Sequence, residues 1–459
     1  MVKAMKNEVD MLNIPVFRGI LKMAIPIMVM NVCQSLFNIV DMTMLRVMVN
    51  DDTVGSVGAS STLISLITGL LIGLSSGANV VIARHIAKKD ADSVQKAVGT
   101  ALLVGLVGGL TVMAIGVCFA ELFLSLMNCP ASLFSDAVLY FRIYFLGVPV
   151  LMFYNVSAAI LRSTGDTKRP MYFLILGGAI KVLFNFLILK FTSSTVQGVG
   201  IATIVSWLVA GGLCFLVLVK TNSIVKINFS KIRFYKKELL SILHIGIPAG
   251  LQTATYAIGN VIIASTVNSF GAEATKGISI ANTFDGLLYQ IVHSPSLAVM
   301  PFVSQNAGAG NYKRVKETVL KTSFMTSLFG AVIGFTSAYF SAELCSMMSP
   351  NPVVIEYAGQ KMKLISRLYF ICGVQDVLCG AFRGIKKPIV PTIISFFCTC
   401  ILRIIWVIFV FPLLPNLTFL YLVWPIGWAI AIISLSIIFA YHYKNLKTKN
   451  AEANEKTAQ

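Results

Sequence analysis

The stretch AIPIMVMNVCQ at 24–34 decides the fold, because it returns as GIPAGLQTATY at 246–256 with Pro26 answering Pro248. Working outward, VIARHIAKKDADSVQKAV at 81–98 lies opposite PFVSQNAGAGNYKRVKETV at 301–319. LGVPVLMFYNVSAAILR, ending at Arg162, lies opposite ICGVQDVLCGAFR, ending at Arg383. A nearly constant offset over this distance marks an internal duplication.

Of the 459 residues, 56% are hydrophobic and 12% charged, and the mean hydropathy is +0.81. So little charge excludes an ordinary soluble chain of this length and points to an integral membrane protein. About 20 apolar residues cross a bilayer core as a helix. That length divides the chain into twelve predicted spans: 17–48, 54–82, 94–126, 136–160, 171–189, 196–219, 240–268, 277–300, 315–347, 355–382, 389–411 and 421–442. The expected fold class is therefore all-α, with an amino-terminal six-helix bundle (1–219), a basic linker (220–239), a carboxy-terminal bundle (240–442), a tail (443–459) and a central cleft.

The net charge of +18 is spread through alternate connections and not gathered in one nucleic-acid-binding domain. Lys3, Lys6, Arg18 and Lys22 precede the first span, Arg84, Lys88 and Lys89 follow the second, and Lys313, Arg314 and Lys316 follow the eighth. The intervening connections are poor in Lys and Arg, which places both termini in the cytoplasm. No cleavable signal is read in MVKAMKNEVD. Six spans per copy preserve the in/out sense, so the repeats are parallel, an arrangement that suits rocking of one bundle against the other.

Asn31, Gln34, Asn38 and Asp41 are spaced by three, four and three residues on one face of the first span. Unpaired polar groups are costly in hydrocarbon, so this face lines a cavity or packs on another polar helix. Asp41 is the candidate coupling group: protonation or a bound Na+ would neutralise it, and the competing reading is a hydrated cap near Asn50, Asp51 and Asp52. Asn185 and Asp376 join it as candidate cation-coupling residues. Under an offset of 221, Asp376 lies opposite Asn155. Asp285 is a further intramembrane acid. Lys181 and Arg403 either neutralise these acids or snorkel. Phe37, Phe153, Tyr154, Tyr256 and Tyr289 complete the candidate substrate cavity and suit a flat organic cation.

Nine cysteines and four histidines show no metal-ligand spacing, and no GxxxxGK[ST] phosphate loop is present, so neither cofactor nor resident metal is expected. The energy source is then an ion gradient or the solute itself.

In these motifs the chain resembles the multidrug and toxic compound extrusion (MATE) family, within the multidrug, oligosaccharidyl-lipid and polysaccharide exporter group. The carriers are AIPIMVMNVCQSLFNIVD, ARHIAKKD with its partner SQNAGAGN, ILRSTGDTKRP and FRGIKKP, over about residues 14–442. The resemblance implies a secondary exporter, not an enzyme, that exchanges small organic cations for H+ or Na+ in the cell membrane and confers drug or antibiotic resistance. It places the family's first-span acid on Asp41. Its span-five pattern, Asn then Asp four residues later, meets Asn185 but finds Leu189, and the span-seven Glu of one branch falls on Tyr256. The alternative is a flippase for a lipid-linked saccharide or related phospholipid, which would need Lys or Arg against phosphate. The expected partners are small organic cations, the coupling ion and membrane lipids. Monomer is the default.

Overall fold

The computed structural model describes residues 8–49, 51–127, 129–192 and 196–458. All regular structure among them is helical. Lys3, Lys6 and Asn50 lie outside the described residues, as do the side chains of Asp51 and Asp52. The main helices are α1 (Val16–Met48), α2 (Asp51–Ala87), α3 (Ala91–Cys118), α4 (Ala131–Leu146), α5 (Val148–Ser163), α6 (Lys168–Phe191), α7 (Val196–Lys220), α8 (Lys236–Asn268) and α9 (Ala272–Gly308). They continue as α10 (Tyr312–Tyr339), α11 (Pro352–Ile365), α12 (Tyr369–Gly384), α13 (Ile389–Leu413) and α14 (Leu417–Asn445). The last helical run extends to Ala458, into the stretch expected as a tail.

By length and composition ten helical segments among the described residues can cross a membrane, and the bent pair α4 and α5 makes eleven. The 43° bend falls at Gly147, where the sequence predicts one continuous fourth span. The remaining expected span is α8, whose 33 residues are ample in length. Its apolar density is diluted by Gln252, Thr253, Thr255 and Asn260. The chain is thus a multi-pass membrane protein.

Two compact units form. One comprises Val29–Thr253 with the segment ending at Asp10; the other comprises Met11–Met28 and Ala254–Gln459. The boundary between the units falls inside α1, after Met28, and inside α8, after Thr253, and each of these helices carries an internal proline, Pro26 and Pro248.

The duplication extends to backbone detail. Left-handed residues occur at Lys89 (φ 56°) and Gly310 (φ 75°), and again at Gly165 (φ 91°) and Lys386 (φ 62°). Each pair is 221 positions apart, with glycine in one copy and lysine in the other. Glycine adopts this conformation freely whereas lysine is strained there. The helices that follow the first pair are capped alike: Asp90 accepts from the Ser93 amide at 3.0 Å and Asn311 from the Arg314 amide at 3.1 Å.

Within the first unit, the linker is packed against α3. Thr100 Oγ1 donates to the Arg233 carbonyl at 3.2 Å, Lys231 reaches Asp92 at 2.8 Å, and Val225 and Ile227 are buried. His85 hydrogen-bonds Glu238 at 2.9 Å. The glycines of GLLIGLSSGA bring α2 onto α8. A Cβ at Gly73 would stand 2.3 Å from the Gly250 nitrogen, so no side chain fits without moving a helix. Gly73→Val should lower the thermal midpoint of the detergent-purified protein through overpacking worth about 1–3 kcal/mol, whereas Val at Gly212, with open space, should leave it unchanged.

The second unit's core gathers Ile263, Leu288, Val292, Ile365, Trp406 and Tyr421 from five helices. Around it α13 is irregular. Two π-helical turns, Phe397–Ile401 and Trp406–Val410, flank one α-helical turn, Leu402–Ile405.

Candidate functional site

In the first unit, α1 and α6 bring together three polar side chains inside otherwise apolar helices. Asp41 is 3% exposed. One of its carboxylate oxygens, Oδ2, pairs with the Lys181 ammonium, and the other, Oδ1, accepts from the Asn185 amide. Lys181 and Asn185 are four apart and share a face of α6. Of the two readings of Lys181 left open by the sequence, neutralisation of an acid is the one the geometry gives. Asn185 Oδ1 is buried with no partner among the described residues.

The rest of the expected polar stripe differs in burial. Gln34 and Asn38 are exposed and Asn31 half-buried. Phe37 packs its ring against Gly178, where a Cβ would stand 2.0 Å from it. Phe153 lies 5.2 Å from the Phe215 ring, the buried Tyr154 hydroxyl reaches Met30 Sδ at 3.5 Å, and Asn155 is half-buried.

The second unit holds two more acids, each with a basic partner. Asp285 on α9 meets Lys361 on α11 at 2.7 Å, and Lys361 also bonds Asn282 Oδ1. Asp376 on α12 meets His293 Nδ1 at 2.8 Å, and the Tyr289 ring stacks on that imidazole at 5.1 Å. Tyr256 accepts from Gln375 at 3.0 Å and lies 3.3 Å from Ser395 Oγ. Asp41 and Asn185 thus form one cluster, while Asp376 belongs to another in the other unit. Arg403, unlike Lys181, reaches no acid among the described residues: it donates to Asn260 Oδ1 at 2.8 Å and lies 5.0 Å from the Trp424 ring centre.

Sequence reasoning overlooks Lys361 and His293. The signal for Lys361 is its place inside the span expected at 355–382. A lysine at that depth needs a partner. His293 carries the same signal inside the span expected at 277–300, but its partner Asp376 is found only when α9 and α12 are packed together.

No group of three or more His, Cys, Asp or Glu side chains that could hold a metal ion occurs among the described residues. What the site offers is a set of buried ion pairs between membrane-spanning helices, the class of a membrane transport protein.

Comparison with known proteins agrees with that class. The MatE family model matches residues 26–187 and again 248–409. The chain belongs to the MatE family, and is a transporter and not an enzyme. It is 26% identical over 389 residues to the probable multidrug resistance protein YoeA of Bacillus subtilis, covering 83% of this chain and 84% of the relative. An FAD transporter of Shewanella oneidensis is 24% identical over 399 residues, 85% and 87% of the two chains. A MOP superfamily transporter from Pyrococcus furiosus, described as having a binding pocket of reverse polarity that suggests a different function, superposes with a TM-score of 0.90 at 19% identity, covering 97% and 99% of the chains. A MATE structure in a bent conformation gives 0.89 at 20% identity, with 98% and 100% covered.

Proposed function

We propose that the chain is a secondary active exporter in the cell membrane, with cytoplasmic termini and a monomeric carrier unit, exchanging small organic cations for H+. The supporting observation is the buried Asp41 held by Lys181 and Asn185. As an ion pair this cluster carries no net charge, so an aromatic cation can approach without repulsion. A proton from outside converts Asp41 to the neutral acid and leaves Lys181 as an uncompensated ammonium, which repels a cationic cargo. The proton and the cargo thus favour different states, and that opposition is what drives exchange. Lys181 also favours H+ over Na+, since its ammonium already sits on Asp41 Oδ2, where the metal ion would bind.

The relatives named as multidrug resistance proteins support the direction and the cargo class. A flippase for lipid-linked saccharides is less well supported: of the two candidate bases Lys181 is engaged by Asp41, which leaves Arg403 alone to meet a phosphate. The test is ethidium movement in proteoliposomes under separately imposed pH and Na+ gradients. Movement driven by the pH gradient alone is expected. Movement driven by Na+ alone would overturn the proton assignment, and no gradient-dependent movement would overturn the cation exporter.

A further inference from the structure

With Pro26 set on Pro248, the first helix of each repeat aligns without a gap, and Phe37 falls on Gly259, Asn38 on Asn260 and Asp41 on Ile263. Each of these helices lies against a helix carrying a buried base, α6 with Lys181 and α13 with Arg403. The first repeat supplies that base with an acid. In the second, the corresponding position is the apolar, buried Ile263, and Arg403 is left with the neutral amide of Asn260. The bulky and small partners are also exchanged: Phe37 packs over Gly178, whereas Gly259 lets Arg403 close onto α8, a Cβ there standing 2.8 Å from Nη1.

Arg403 is 5% exposed. A guanidinium has five N–H donors and cannot shed its charge. One donor is engaged by a side-chain acceptor, and among the described residues no carboxylate lies within ion-pair distance. Its other neighbour is Trp424, whose ring also lies 5.5 Å from the Lys361 ammonium. Among the described residues two buried cations thus stand against this one indole, and of the two Lys361 has a carboxylate partner, Asp285. A buried charge left in this state is costly unless an anion completes it. The π-helical turns on either side of the Leu402–Ile405 turn fit such a role, since local π-turns recur at functional sites.

We propose that Arg403, Asn260 and Trp424 form an anion-binding site for a carboxylate or phosphate carried on an aromatic organic molecule. The guanidinium fork would take two anion oxygens, the Asn260 amide would orient the fork, and the indole would contact the ring system. Cargo would then include amphiphiles bearing a negative group beside a flat apolar body. This substrate class rests on reading the chain as a carrier of organic molecules, but the site is defined by binding alone.

The test is equilibrium binding of riboflavin 5′-phosphate and of riboflavin, the same ring without the phosphate, to the full chain purified in detergent. Hydrogen bonds to a charged group predict a preference of at least about tenfold for the phosphate form. Arg403→Gln should abolish it. Asn260→Asp should also abolish it with the arginine retained, because an internal carboxylate would take the anion's place. Competition by phosphatidylglycerol, but not phosphatidylcholine, would assign the same site to a lipid headgroup; no competition would assign it to a soluble anion. Equal affinity for the two flavins, no binding, or an undiminished preference in both variants would overturn the proposal. None of these readouts uses a gradient, so failure here and failure of ethidium exchange are separate results.

Discussion

In proteoliposomes with an imposed pH gradient, Asp41→Asn is expected to move ethidium no faster than protein-free vesicles. The variant keeps an amide of nearly the same shape against Asn185, so the helices stay packed. It removes the only atom in the cluster that gains and loses a proton in the proposed cycle, and it leaves the Lys181 ammonium permanently uncompensated. Ethidium flux as fast as in the parent protein, at equal protein abundance, would sink the coupling role. The complementary variant, Lys181→Met, uncovers Asp41 Oδ2 beside the unpartnered Asn185 Oδ1. Oxygen ligands around an uncompensated carboxylate suit a hard cation. This variant is expected to move ethidium under a Na+ gradient, and the parent under a pH gradient alone. An unchanged response to the two gradients would show that Lys181 does not select the ion.

The second large effect concerns stability. Lys361→Met strands Asp285 in the core of the second unit, with one carboxylate oxygen already buried and unpartnered among the described residues. Removing one member of a buried pair costs about 3–5 kcal/mol, whereas replacing both with apolar residues of similar volume is often neutral. The single variant should show a much lower thermal midpoint in detergent, and Lys361→Met combined with Asp285→Leu should recover most of the loss. An additive double variant would mean that Lys361 acts through Asn282 or Trp424 instead of Asp285.

The sequence is most informative where one helix carries the whole signal. Asp41 is found because its polar neighbours recur at helical spacing on a single span, and the duplicated proline motif gives the repeat without any structure. Lys361 and His293 escape because their partners, Asp285 and Asp376, are on other helices, 83 positions away in the case of His293. Periodicity tells which face of a helix is polar but not which other helix that face meets. The break at Gly147 and the π-turns of α13 are missed for another reason: both leave the apolar pattern intact and alter only the path of the backbone. α8 is expected as a span from its length and from its repeat partner, and its polar residues lower its apolar density below that of the other spans.

The exchanged glycine and lysine at the left-handed turns have an evolutionary meaning. If the halves descend from one segment, each turn was inherited twice and then drifted independently, and in both cases the bend outlived the residue that makes it easy. The geometry is therefore held by the caps and helices around it, much as an arch holds after its scaffolding is removed. Sequence comparison that tracks glycine alone would miss half of these turns, and grafting Lys at Gly310 asks the fold only for what Lys89 already tolerates, whereas at Gly165 a Cβ would stand 2.7 Å from the Val9 backbone and the glycine is needed for that contact as well.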